Sequence, residues 1–264
     1  MDPVDAAPPS ALGIELASGL IGASVSVDLD ALLGDPSMQG DLRTALAEHL
    51  VLVLRGLDPS PAQHVALARI LGDLQPTETY NVAHPDFDEI TVFDSAGGYK
   101  ADHWHADATW RDIVPSAAVL CMRQCPSAGG DTVFANCVRA HDDLSDGMKQ
   151  LLHGRRARHD IGPDDHHDHP VVIRHPITGK SVLFVNRIFT RAITNLPPEE
   201  SEAILPFLFR HVTRPELTYR HRWRTGDMLI WDNWAVQHYA LADFRERRVV
   251  HRVAIAGQRL QAAD

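Results

Sequence analysis

The strongest constraint on this fold is that three side chains from distant parts of the chain have to meet. His105 and Asp107 stand two residues apart in WHADATW, and His238 lies far downstream in WDNWAVQHYA. Two histidines and one carboxylate make the facial triad that holds non-haem Fe(II) and leaves positions open for oxygen chemistry. Residues i and i+2 of a strand share a face. A strand through His105 and Asp107 therefore lets both reach one metal, and a second strand from the distant segment supplies His238.

In a chain with 16 histidines an isolated H-x-D pair has an ordinary explanation. The surrounding residues argue against coincidence. Arg248 and Arg252 stand in RRVVHRVAIAG, downstream of His238, and Thr132 stands in GGDTVFAN. An oxygenase of this type holds an anionic co-substrate beside the metal, and arginine offers the paired, charge-assisted hydrogen bonds that a carboxylate takes.

Taken in order, WHADATW, GGDT, IWDNWAVQHYA and RRVVHRVAIAG resemble the taurine dioxygenase / 2,4-dichlorophenoxyacetate dioxygenase family. The similarity runs from about Val51 to Gly257 and includes VLVLRGLDPSPAQHVALARILGDL and HPITGKSVLFVNRIFTRAI. It implies an Fe(II)-dependent dioxygenase that uses 2-oxoglutarate and O2 as co-substrates. The implied fold is mainly β with flanking helices: a double-stranded β-helix, or cupin-like jelly-roll barrel, with the metal in its mouth.

By position, the resemblance assigns His105, Asp107 and His238 to the metal and Thr132 and Arg248 to 2-oxoglutarate. It places Arg252, Phe189, Tyr80, Thr77 and Trp110 around the substrate. Arg252 follows Arg248 by an even number of residues and so shares its strand face; the resemblance matches it to the position that binds the sulfonate in the taurine enzyme, which implies a substrate with a carboxylate, sulfonate or sulfate end. Three departures tell against taurine itself. Thr77 falls where the taurine enzyme has a substrate-binding histidine, Ala101 where an asparagine lies near the metal, and Arg187 where relatives carry a small or acidic residue. The expected reaction is oxidation, by hydroxylation in the first instance, of a small anionic organic molecule, with 2-oxoglutarate converted to succinate and CO2. A homo-oligomer is also expected.

At 264 residues, one domain over 13–264 with a Pro/Ala-rich tail over 1–12 is the expected organisation. The net charge of -10 and the lack of a basic patch with interleaved aromatics speak against a nucleic-acid partner. Three cysteines without a CxxC pair argue against a disulfide framework and against structural zinc. MDPVDAAPPS lacks the basic and apolar regions of a signal peptide, and no apolar stretch reaches the length of a membrane span. We therefore expect a cytoplasmic protein with no membrane partner.

Local patterns predict helices near 36–49, from Ser60 to Gly72, over 137–153 and over 197–212. Short strands fit LVLVLR, EITVFD, AAVLCMR, DTVFAN, PVVIRHP, SVLFVN, LTYRHRW, GDMLIWD and RRVVHRVAIA. PDDHHDHP at 163–170 is polar and flanked by prolines, and reads as a surface loop in a shortened lid. Two other classes compete. One is a metal-dependent hydrolase on the same barrel, which has no need of the Arg248–Thr132 clamp. The other is a non-catalytic binding protein, which has no need of an intact triad.

Overall fold

Side-chain alternation along the apolar strands decides the architecture. The computed structural model describes residues 12–98 and 101–263. A nine-stranded sheet has at its centre, in spatial order, Val51–Leu54, Met228–Asp232, Ala117–Gln124, Val249–Ile255 and Phe87–Asp94, each antiparallel to the next. Leu52, Leu54, Val119, Met228, Ile230 and Val253 point to one face, where helices Leu29–Gly34, Pro36–His49 and Pro61–Arg69 cover them. Val51, Val53, Ala118, Leu229, Trp231 and Val250 point to the other face and meet Phe134 and Val236. Those two belong to a second sheet of Thr218–His221, Thr132–Asn136 and Val236–Ala240. Continuous apolar runs are what a sheet covered on both faces requires. The space between the two sheets holds the site.

The predicted helices are present, with two differences. Ser60 and Gln63 form a full capping box, but that helix ends at Arg69 rather than Gly72. The stretch over 137–153 is broken into Cys137–Asp142 and Asp146–Leu152, because Ser145 accepts a hydrogen bond from the Met148 N–H and starts a new helix. Helix Pro198–Val212 covers a second core with Leu205, Leu208 and Val212. The expected tail falls mostly outside the described residues, and Leu12, assigned to it, is buried in the first core.

The segment expected as a surface loop is instead half of a hairpin. His166–Pro170 pairs antiparallel with Arg156–Asp160, which pairs in turn with Thr190–Ile193. His169 is buried, and its Nε2–H donates to the Arg111 carbonyl at 2.9 Å. Alternation is present here, but the inward residues are histidines with internal partners, so hydropathy could not show it.

Buried histidines recur elsewhere and make the fold acid-sensitive. Burial holds His64 down at about 4, with its Nε2–H donating to the Val119 carbonyl. Burial and the nearby Arg55 hold His221 at about 3. Both imidazoles are neutral when folded and take up protons when unfolded, so their contribution is complete above an ordinary histidine pKa of about 6.5 and is lost as pH falls towards 4. From neutrality to about pH 4.5, His64 alone should cost about 2–3 kcal/mol of unfolding free energy. Urea unfolding at the two pH values checks this. His64→Gln should flatten the pH dependence, and an unchanged slope would contradict the assignment.

Candidate metal and co-substrate site

The two histidines of the triad are joined through their main chains. His105 and His238 form a single antiparallel bridge, with N–H to carbonyl distances of 3.1 Å from His105 and 2.7 Å from His238. His238 sits in strand Val236–Ala240. His105 and Asp107 are not on a longer strand as expected, because the chain turns straight after the bridge. Ala108 has φ +54, the left-handed region that a residue with a Cβ seldom adopts. Such local strain is tolerated where its surroundings fix it. Here Asn233, fully buried, accepts from the Asp107 N–H at 2.8 Å and donates to the Asp107 and Pro115 carbonyls. One turn further, Thr109 Oγ1 is held by His159 Nδ1 at 2.9 Å and by Asn186 Nδ2 at 3.0 Å.

The donor atoms face one another. One ligand atom each from His105, Asp107 and His238 lies within 4.8 Å of the others. His105 Nε2 and His238 Nε2 are 3.5 and 3.6 Å from Asp107 Oδ1. The His103 carbonyl, 2.7 Å from His105 Nδ1, can only accept, so Nδ1 carries the proton and Nε2 presents its lone pair. Burial, reinforced by His105, lowers His238 to about 3, which leaves that ring neutral. Burial, the largest single influence, would raise the Asp107 carboxyl, but the Arg252 guanidinium together with His105 and His238 outweighs it and holds the group well below the usual carboxylate range. Two imidazoles and one carboxylate oxygen converging in this way suit Fe(II).

Two chambers meet at this cluster. The inner one is lined by Thr132, Arg248, Phe134, Trp231, Leu120 and Val250 along with the triad. The outer one, of about 330 Å³, is lined by Tyr80, Trp110, Phe189, Thr91 and Glu78 among others. Phe93, His105, Asp107 and Arg252 border both. Arg248, just ahead of strand Val249–Ile255, and Val250 and Arg252 within it alternate into the inner chamber, so the expected shared face is present.

The GGDT motif has a steric explanation. Gly129 and Gly130 have φ +78 and +71, and a Cβ on Gly130 would lie 3.2 Å from Arg248 Cδ. The Gly130 carbonyl accepts from Arg248 Nε at 3.2 Å and aims the guanidinium. Thr132 Oγ1 accepts from Trp223 Nε1 at 2.9 Å, so its own hydroxyl proton is left to donate elsewhere.

Arg252 lies at the junction. Its Nη1 donates to Asp107 Oδ2 at 2.8 Å, and its guanidinium carbon stands 4.9 Å from the Phe93 ring centroid. Its Nε is buried with no partner among the described residues. Phe189 packs on Trp110, with ring centroids 4.6 Å apart, and edge-on to His105. Tyr80 is exposed at the rim.

One expectation needs correction. Thr77 does not line either chamber; its hydroxyl lies 3.0 Å from that of Thr91, and Thr91 forms the wall. Arg187 lies outside both chambers, in a separate groove. Asn233, Asn186 and Thr91 had been given no role. The signal for the two asparagines was an amide inside an apolar run (LIWDNW, LFVN), where burial demands that it be satisfied.

Two sheets and a triad with a co-substrate chamber are the features of a 2-oxoglutarate dioxygenase, and comparisons with known proteins agree. The family described as taurine catabolism dioxygenase TauD, TfdA matches residues 13–254. The chain belongs to that family of Fe(II)- and 2-oxoglutarate-dependent dioxygenases. It is 33% identical over 279 residues to an alkylsulfatase of Acinetobacter baylyi, covering 95% of this chain and 87% of that one. It is also 33% identical to an alpha-ketoglutarate-dependent sulfate ester dioxygenase of Pseudomonas putida, over 94% of this chain and 90% of that one. A crystal structure of a taurine dioxygenase from Burkholderia xenovorans superposes with a TM-score of 0.89 at 32% identity, over 96% of this chain and 92% of that one. Among the described residues no helix is long and apolar enough to cross a membrane.

Proposed function

We propose that residues 13–264 form one catalytic unit, in which His105, Asp107 and His238 hold Fe(II), Thr132 and Arg248 hold 2-oxoglutarate, and the substrate is a small organic sulfate ester. The observation that carries this reading is Arg252, a half-buried cation whose buried Nε has no partner among the described residues, at the junction of the two chambers. A buried donor of this kind selects an anion. Phe93, Trp110 and Phe189 line the same chamber and suit an apolar body. The similarity to two sulfate-ester enzymes over nearly the whole chain favours sulfate over sulfonate.

The bound iron supplies the O2 chemistry that this scaffold lacks. The chain's own residues position and enclose. The His103 carbonyl sets the His105 tautomer. Arg252 occupies one oxygen of Asp107 and leaves the other to face the histidines. Arg248 and the Thr132 hydroxyl are placed to grip one carboxylate at the far end of the inner chamber. Leu120, Phe134, Trp231 and Val250 keep that chamber dry, which strengthens every polar contact inside it. The substrate anion meets Arg252, and its carbon chain runs into the outer chamber beside Phe189 and Trp110. Hydroxylation at the carbon bearing the ester oxygen gives R–CH(OH)–OSO3⁻. This breaks its C–O bond to release an aldehyde and hydrogen sulfate, while 2-oxoglutarate becomes succinate and CO2.

Anaerobic addition of Fe(II) and 2-oxoglutarate should produce the weak visible charge-transfer band of a chelated keto acid. In air, octyl sulfate should drive succinate formation with sulfate released in equal amount. Taurine should stimulate turnover poorly, because a site shaped around one polar group rejects analogues that leave its buried partners unpaired. Efficient taurine turnover with stoichiometric sulfite would reverse the substrate assignment, and absence of the band at saturating ligand would reverse the site assignment. A hydrolase on the same residues would release sulfate without 2-oxoglutarate.

A further inference from the structure

A second cavity lies behind the metal bridge. Alternation along the bridged segments sends His105 and His238 into the inner chamber and their neighbours Trp104 and Gln237 into a separate groove of about 350 Å³. Phe209 and Arg210 of helix Pro198–Val212 form its opposite wall, and Arg187 completes it. Among the described residues no acidic side chain lines it. Neither Arg187 nor Arg210 makes an ion pair or a side-chain hydrogen bond among the described residues. In a protein of net charge -10, many arginines do have a carboxylate partner, as in Arg191–Asp160, Arg214–Asp143 and Arg220–Asp131.

We infer that this groove is a second ligand site, for an organic anion with an aromatic or alkyl body. Two guanidinium groups without counter-ions supply paired donors for a carboxylate, sulfonate or sulfate. Trp104 and Phe209 supply flat apolar surface against which such a body stacks. The volume lies at the lower end of the range that takes small ligands. The buried Gln237 amide, donating to the Val185 carbonyl at 2.7 Å, closes the floor. Trp104 and Gln237 are each covalently next to a triad histidine, so an occupant of the groove braces the metal bridge from behind. The inference does not rest on the proposed substrate, because neither arginine borders the inner or outer chamber.

The test uses naphthalene-2-sulfonate as probe, titrated calorimetrically into the full chain and into Arg252→Ala. Binding that persists in Arg252→Ala and weakens at least about tenfold in Arg187→Ala/Arg210→Ala supports the second site. The single variants Arg187→Gln and Arg210→Gln, both at exposed positions, keep the test open if the double variant fails to fold. Fluorine NMR of fluorotryptophan-labelled protein gives an independent reading: the resonance that disappears in Trp104→Phe should move on titration. The inference is overturned by an absence of binding, by binding that vanishes in Arg252→Ala and ignores the two arginines, or by a still Trp104 resonance. It is also overturned if the double variant dissociates an oligomer, since a second copy of the chain would then be the occupant.

Discussion

Asp107→Ala is expected to abolish turnover and to weaken Fe(II) binding by more than the roughly 10- to 100-fold that loss of an outer-shell partner costs. It removes a ligand oxygen and at the same time strands the half-buried Arg252 guanidinium, without its carboxylate partner, against two imidazoles. Metal titration followed by the anaerobic charge-transfer band reads this directly. Asn233→Ala makes the informative comparison, because among the described residues the Asn233 side chain hydrogen-bonds only the Asp107 backbone and the neighbouring Pro115 carbonyl. It should fall within the outer-shell range and leave a detectable band. If Asp107→Ala retains normal iron affinity, the carboxylate is not a ligand.

The second large effect separates the two arginines. Arg248→Ala should weaken 2-oxoglutarate by about 2–5 kcal/mol, roughly thirtyfold to a few thousandfold in Kd, since it removes one partner of a desolvated ion pair. Arg252→Ala should leave that affinity nearly unchanged, spare uncoupled succinate formation and suppress turnover of the sulfate ester. Co-substrate affinities measured on both variants decide the matter. Equal losses would mean that the two roles have been divided wrongly.

What the sequence made legible follows from how the signals arise. The central strands could be read because Val51–Leu54 and Met228–Asp232 are buried on both faces and are therefore continuously apolar. The triad could be read because its chemistry restricts residue types. The shared face of Arg248 and Arg252 followed from strand periodicity alone. The hairpin of Arg156–Asp160 and His166–Pro170 could not be read, since its inward side chains, His159 and His169, are polar groups satisfied by partners distant in sequence. The turn at Asp107 was hidden for a similar reason: its left-handed Ala108 is stabilised by Asn233, Asn186 and His159, none of them nearby in sequence. Thr77 was one residue short of the wall because a hydroxyl-to-hydroxyl contact with Thr91 leaves no local pattern.

The main-chain bridge between His105 and His238 separates inheritance from innovation. The spacing of the two imidazoles is set by reciprocal backbone hydrogen bonds, which do not themselves depend on the neighbouring side chains. The outer chamber is instead built from side chains on Gln75–Asn81, the turn after Asp107 and the segment around Phe189. Mutations there can reshape the pocket while the iron geometry stays constant. A lineage with this scaffold can drift from one organic anion to another without passing through an inactive ancestor. Relatives as different as an alkylsulfatase and a taurine dioxygenase are the outcome that such decoupling favours.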